Sequence, residues 1–279
     1  MKPIRVAVIQ THWPGDRTDL MDAYRRLISN AAKHGANVVC LQEFSLSPYF
    51  ASTLDQSGYD WAEPLHGGPS DQFFAQQALA NQIYLIGSLF EKDEQDQYWD
   101  TATIHDPSGI LIGHTRKVHI PQGDGYHEDH FFKGDSAYPI HQVAGVPTAV
   151  PTCYDQWFPE MSRICALNGA ELICYPSAIG SEPTNPEIDS QTAWQTVMQG
   201  QAIANGVYIV AINRTGSEGV EFYGSSFICN PMGQIVAQAS RDQTEVIFAD
   251  LDPALFDEWR RLFPLLQQRR PDTYGKITE

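Results

Sequence analysis

Three residue types able to do acyl-transfer chemistry stand at the ends of strand-like runs. Glu43 closes "NVVCLQE" (37–43), Lys117 lies in "HTRKVHIP", and Cys153 closes "GVPTAVPTC". Strand ends are where α/β folds gather reacting groups. Each residue also has an ordinary alternative. Most glutamates are solvated, a basic pair such as Arg116–Lys117 in a hairpin is commonly a surface feature, and free cysteine is most often a small buried hydrophobe. What sets Cys153 apart is "PTCYDQWFPE" (151–160), which reads as a strand-to-helix junction. A helix N-terminus and a nearby ammonium both lower a thiol's pKa, so a thiolate is expected there. Cys40, Cys165, Cys174 and Cys229 fall inside apolar strands or a helix and are expected in the core. A thiolate, a carboxylate and an ammonium together suit nucleophilic attack on an amide-like or nitrile carbon. The thiol attacks, Glu43 takes and returns protons, and Lys117 with backbone N–H groups holds the developing oxyanion.

The elements that must position these groups alternate between strand and helix. "IRVAVIQ" (4–10), "NVVCLQE", "IYLIGSLFEK", "ELICYPSAIG" and "VYIVAINR" read as buried strands. Residues 19–35 carry Leu20, Ala23, Tyr24, Leu27, Ile28 and Ala31 at helical spacing, with Gly35 as the stop. Further helices are predicted at 69–82, about 158–169 and 191–206. "YWDTATIHDPSGILIGHTRKVHI" and "SSFICNPMGQIVAQAS" read as hairpins about Asp-Pro-Ser-Gly and Asn-Pro-Met-Gly, and "EVIFADLD" as a last strand. The two halves share one β-α-β-α-β-hairpin order, which predicts two related sheets packed together. The hairpins argue against an all-parallel sheet. No low-complexity linker divides the chain, so residues 1–279 are expected to form one domain.

Bulk properties narrow the function classes. With 18 basic against 34 acidic residues the formal net charge is -16, a field that disfavours nucleic acid and anionic membranes and attracts small cations. Five scattered cysteines without a C-x-x-C pair argue against a disulfide framework or a zinc site and for a reduced, cytoplasmic setting. No apolar run is long enough to cross a bilayer, and no cofactor or metal is expected.

"LQE", "RKVHIP" and "CYDQWFPE", in that order, resemble the Glu, Lys and Cys signatures of the nitrilase (carbon–nitrogen hydrolase) superfamily. The resemblance extends through "GYHEDHFFKGD", "YPSAIGSEP", "WQTVMQGQAIANGVYIVAINRTG" and "RRPDTY", nearly the whole chain, and is strongest to the N-carbamoylputrescine amidases. It implies Cys153 as nucleophile, Glu43 as general base and acid, and Lys117 with the backbone N–H of Tyr154 as oxyanion donors. Glu128, in "GYHEDHFF", matches a second glutamate that orients the lysine or the substrate nitrogen. The implied fold is a four-layer α-β-β-α sandwich, with two central mixed sheets flanked by helices. The segment 253–279 is implied to reach a partner subunit in a homodimer or higher homo-oligomer.

Substrate choice turns on the far end of the pocket. N-carbamoyl amino acid amidases hold a carboxylate with an arginine beside the cysteine loop, whereas here none follows Cys153 until Arg163. An acidic, aromatic pocket suits a cationic tail. Glu182 and Asp189 are the candidate acids, with Trp157, Tyr126 and Tyr154 as walls; turn and helix capping are their alternative roles. The expected substrate is a small cationic carbamoyl amine. Another superfamily amidase, a nitrilase, or an inactive scaffold are the alternatives, the last opposed by the joint presence of Glu43, Lys117, Glu128 and Cys153. Tyr154, where the family has tryptophan, and Pro151, in what reads as a strand, depart from the family pattern.

Overall fold

The computed structural model describes all 279 residues. The N-terminal half supplies β1 (Ile4–Gln10), α1 (Arg17–Lys33), β2 (Val38–Cys40), α2 (Pro69–Asn81), β3 (Tyr84–Lys92), β4 (Tyr98–His105), β5 (Leu111–Arg116) and the one-turn α3 (Glu128–Phe131). Then follow β6 (His141–Val143), β7 (Val146–Ala149), α4 (Pro159–Leu167), β8 (Leu172–Pro176), α5 (Gln191–Asn205) and β9 (Tyr208–Ile212). The chain ends with β10 (Thr215–Ser217), β11 (Glu221–Tyr223), β12 (Phe227–Cys229), β13 (Ile235–Gln238), β14 (Glu245–Leu251) and α6 (Pro253–Leu262).

The strands form two six-stranded sheets, ordered β14-β1-β2-β3-β4-β5 and β13-β12-β9-β8-β7-β6, plus a small β10–β11 hairpin. In each sheet three central strands run parallel and the flanking strands antiparallel. The two related mixed sheets read from the repeated element order are therefore present. One pairing was not legible: β14 crosses back to the first sheet and zips along β1 from Ile4↔Leu251 to Gln10↔Glu245.

Side-chain alternation makes the layers. Val6 and Val8 of β1 pack into the inter-sheet core with Leu172, Cys174 and Val210, while Ala7 and Ile9 turn outward to Leu20, Tyr24 and Ile28 of α1. On the far side, Met161 and Cys165 of α4 and Trp194 and Met198 of α5 cover Ile173, Ile209 and Ala211. The result is the expected α-β-β-α sandwich. Because both faces of every central strand are covered, these strands read as unbroken apolar runs. Each fully buried Val or Leu contributes about 1.5–3 kcal/mol, which ties the sheets firmly at the layer where the site is built.

Helix boundaries follow local chemistry. Asp16 caps α1 by accepting from Thr18 N at 2.7 Å and Asp19 N at 3.3 Å. Gly206, in left-handed backbone with φ 60°, ends α5. No helix is long and apolar enough to cross a membrane. Around Cys153 the structure differs from the expectation: β7 stops at Ala149, and Cys153 opens a single 3₁₀ turn, Cys153–Trp157. Pro151 thus lies past the strand and removes no ladder bond, which accounts for its tolerance there.

Candidate active site

The site forms where the C-terminal ends of the parallel strands of both sheets meet, the crevice that α/β sheets favour for chemistry. Glu43 lies just past β2, Cys153 past β7 and Lys117 past β5. Asp100, paired with Phe90 near the start of β4, reaches the same point because β4 runs antiparallel to β3.

Lys117 is the hub. Its side chain is 0% exposed, as is that of Glu43. Its Nζ donates to Glu43 Oε1 at 2.8 Å and to Glu128 Oε2 at 2.5 Å, and lies 3.4 Å from Asp100 Oδ2. Tyr49 OH donates to the other Glu128 oxygen at 2.9 Å, fixing that carboxylate's orientation. Burial works against the ammonium, but the carboxylates of Glu128 and Glu43 outweigh it and push its pKa well above the ordinary lysine value. Burial also raises Glu43 well above the usual carboxylate range; Lys117 opposes the shift, and the negative charges of Asp100 and Glu128 reinforce it. Glu128 is raised for the same first reason, again against Lys117. The three acids bring carboxylate oxygens within 4.8 Å of one another, a spacing a cation would fit, and the Lys117 ammonium is that cation.

The cysteine turn is tied to the lysine by one carboxylate. Asp155, fully buried, accepts from Thr152 N (3.2 Å), Val118 N (3.3 Å), His119 N (2.9 Å) and His119 Nδ1 (2.7 Å). It therefore clamps the residues that follow Lys117 to those that flank Cys153. The sequence expectation of a lowered thiol pKa is corrected. Burial first, and then the charge of Glu43, raise Cys153 well above the ordinary thiol value, with Lys117 and a backbone hydrogen bond from Ala178 pulling the other way. A one-turn helix offers too little dipole to reverse this.

Arg214, just past β9 and fully buried, holds the Glu43 loop. Its Nη2 donates to the carbonyls of Glu43 (3.0 Å), Phe44 (3.0 Å) and Ser47 (3.2 Å), and its Nη1 to Glu218 Oε1 (2.7 Å). Glu218 in turn accepts from Tyr49 N at 2.7 Å. Asp100, Asp155, Tyr49 and Arg214 are the site residues to which the sequence reading assigned no such role. Asp100 had one signal, an acid inside an apolar strand, and Arg214 another, a base closing one.

Cys153, 5% exposed, opens onto a cavity of about 270 Å³ lined by Pro121, Gln122, Tyr126, Glu128, Tyr154, Trp157, Ile179 and Glu182. Tyr126, Tyr154, Trp157 and Glu182 thus line one cavity. The Tyr126 hydroxyl is committed elsewhere, donating to Ser181 O at 3.1 Å and accepting from Gly180 N at 3.0 Å, so only its ring is free to contact a ligand. Asp189 is not brought in. It bonds Arg241 at 2.8 Å and accepts from Gln191 N at 3.2 Å, the helix-capping alternative, outside the cavity. A larger cavity of about 530 Å³ between α4, α5 and the C-terminal tail contains none of the reacting groups.

This geometry provides a buried carboxylate, a fixed cation and a thiol at the floor of an acidic, aromatic pocket. The carbon–nitrogen hydrolase profile matches residues 5–261. A citrullinase from Francisella tularensis is 35% identical, with 99% of each chain covered. An N-carbamoylputrescine amidase from Oryza sativa is 36% identical, covering 97% of this chain and 93% of the relative. Among solved structures, a carbon-nitrogen hydrolase from Helicobacter pylori superposes with a TM-score of 0.94 at 34% identity, over 100% of this chain and 99% of the other. The chain belongs to the carbon–nitrogen hydrolase family, the nitrilase superfamily of hydrolases that act on non-peptide C–N bonds.

Proposed function

We propose that the protein hydrolyses an N-carbamoyl amine with a cationic tail, N-carbamoylputrescine being the substrate that fits best, and so serves polyamine biosynthesis. The observation that carries this reading is the charge of the cavity. Besides the thiol it presents Glu182, half-buried at the rim, and Glu128, and none of its lining residues is lysine or arginine. An ammonium at the far end of a substrate meets Glu182 and the faces of Tyr154 and Trp157. The α-carboxylate of citrulline, or that of an ω-amide or a carbamoyl amino acid, meets an acid and no base.

In the reaction, Glu43 takes the Cys153 proton and Sγ adds to the carbamoyl carbon. The oxyanion is held by the Lys117 ammonium and the Tyr154 N–H. Collapse expels ammonia, which leaves with the proton returned by Glu43, and a carbamoyl thioester remains on Cys153. Water, deprotonated by Glu43, releases the thiol and a carbamic acid, which breaks to CO2 and the amine. Glu128 and Tyr49 act by holding Lys117. A second copy of the chain is the proposed partner of 253–279, where Leu262, Phe263, Leu265, Tyr274 and Ile277 are exposed.

The test is ammonia release from N-carbamoylputrescine, citrulline, N-carbamoyl-β-alanine, an ω-amide and a simple nitrile. The highest kcat/KM is expected on N-carbamoylputrescine, and Cys153→Ala should abolish release without lowering Tm. A higher kcat/KM on a carboxylate-bearing substrate overturns the tail assignment, and turnover by Cys153→Ala overturns the mechanism.

A further inference from the structure

Within the buried hub the charges do not balance. Three carboxylates, Glu43, Asp100 and Glu128, face one ammonium, and all four side chains are buried at 0–1% exposure. Lys117 makes hydrogen bonds to Glu43 Oε1 and Glu128 Oε2. Glu128 Oε1 is filled by Tyr49 OH, and Asp100 Oδ1 accepts from Ser88 Oγ at 3.2 Å. Two buried oxygens are left without a hydrogen-bond partner, Glu43 Oε2 and Asp100 Oδ2. Asp100 Oδ2 meets only the Lys117 ammonium, at 3.4 Å, so a second buried negative charge stands close to Glu43.

We propose that Asp100 is a positioning residue for the proton of Glu43. One carboxylate oxygen of Asp100 lies within 4.8 Å of one of Glu43, and the Asp100 charge sets how strongly Glu43 holds its proton. This rests on the reading of Glu43 as acceptor of the thiol proton. A carboxylate of ordinary basicity is a poor match for a thiol whose own proton is held tightly, and a second negative charge beside it narrows that gap. The backbone of Asp100 places it for this task, since its carbonyl accepts Lys117 N at 2.9 Å. Its Ser88 partner also accepts from Phe44 N at 3.1 Å, so one serine fixes both Asp100 and the Glu43 loop. The other charged or titratable groups about Glu43 are Lys117, Glu128, Cys153 and Tyr49, together with Arg214, which bonds its carbonyl. Of the other carboxylates, Glu128 has both oxygens hydrogen-bonded, whereas Asp100 Oδ2 has only the Lys117 ammonium at 3.4 Å.

The test is the pH profile of Cys153 alkylation by iodoacetamide, read by peptide mass, in the wild type, Glu43→Gln and Asp100→Asn. Asn keeps the size and the Ser88 contact and removes the charge. Losing a negative neighbour stabilises the Glu43 carboxylate, so the acid limb should move down by about one to three pH units in Asp100→Asn. In Glu43→Gln that limb should vanish. An unmoved limb in Asp100→Asn, with Glu43→Gln still altered, overturns the role of Asp100. An unaltered Glu43→Gln profile overturns the reading of Glu43 itself. Should Asp100→Asn not fold, carboxyl-13C titration of Glu43 in the wild type decides: a midpoint above the ordinary carboxylate range is expected, and an ordinary one overturns the proposal.

Discussion

Replacing Arg214 by Met tests whether the Glu43 loop is held from outside the reacting groups. The variant keeps most of the side-chain volume and deletes four hydrogen bonds, three to the carbonyls of Glu43, Phe44 and Ser47 and one to Glu218. It leaves Glu218, 10% exposed at its side chain, without its cation. Breaking a buried ion pair from one side costs about 3–5 kcal/mol, and the orphaned carbonyls add to that where they cannot relax. Against a total stability of roughly 5–15 kcal/mol this is a large share, equivalent to a fall in Tm on the order of 10 °C. Below the new Tm the loop is intact but loose, and a displacement of about 1 Å at Glu43 lowers kcat by roughly a hundredfold. Thermal unfolding followed by circular dichroism, with ammonia release measured well below the transition, gives both numbers. Adding Glu218→Gln removes the stranded charge, so the double variant should be less destabilised than the sum of the singles. An Arg214→Met protein whose Tm moves by no more than a degree or two and whose kcat stays within twofold would show that the loop holds itself, and the reasoning fails.

Three further outcomes follow from the same geometry. Glu182→Gln should raise KM for a carbamoyl amine with an ammonium tail by about tenfold, on the order of 1.4 kcal/mol, and hardly change KM for a neutral amide; equal effects in steady-state kinetics remove Glu182 from the tail site. Asp189→Asn breaks a pair whose side chains are 60% and 54% exposed, so Tm should shift by no more than the equivalent of about 1 kcal/mol with KM unchanged, and a KM effect would place Asp189 in the pocket after all. Asp155→Ala strips the acceptor from Thr152, Val118 and His119, and should cost about 3–5 kcal/mol by denaturant unfolding and lower kcat more than it raises KM; a stable variant with normal kcat would show that the clamp is dispensable.

Much of the architecture was legible because both sheets bury both faces, and unbroken apolar strands separated by capped amphipathic helices leave few alternatives. Glu43, Lys117 and Cys153 were legible because each stands at a strand end. The supporting shell was not. Asp100 sits in "YWDTATIH" on the face of Ala102 and Ile104, an acid among core residues, yet only the antiparallel return of β4 carries it to Lys117. Arg214 looks like any base closing a strand, since its partners lie far away in sequence. Asp155 drew notice as part of the cysteine loop, yet its side chain turns to backbone N–H groups and away from a ligand. The thiol's pKa was read in the wrong direction for a related reason: a helix start is written locally, whereas the burial that chiefly opposes it, and the acids that add to it, come from other elements.

Both the proposed base and the proposed nucleophile depend on left-handed backbone in residues that do not favour it. Phe44, following Glu43, has φ 47°, and Cys153 has φ 32°. Such conformations cost of order 1–3 kcal/mol each and persist only where the surroundings over-determine them. Phe44 is pinned at its N–H by Ser88 Oγ, at its carbonyl by Arg214, and at its ring by Phe50 and Phe132. Cys153 is pinned by the reciprocal pair in which Thr152 N donates to the Asp155 carboxylate and Asp155 N donates to the Thr152 carbonyl at 3.0 Å. Glycine would relieve either strain, but at 44 it would empty the aromatic cluster and at 153 it would delete the thiol. The sequence therefore keeps the strained residues and adds buried polar anchors around them. Those anchors, Asp155 and Arg214 foremost, tie each reacting group to an element of another layer or loop, so that the thiol, the carboxylate and the ammonium hold one arrangement before any substrate binds.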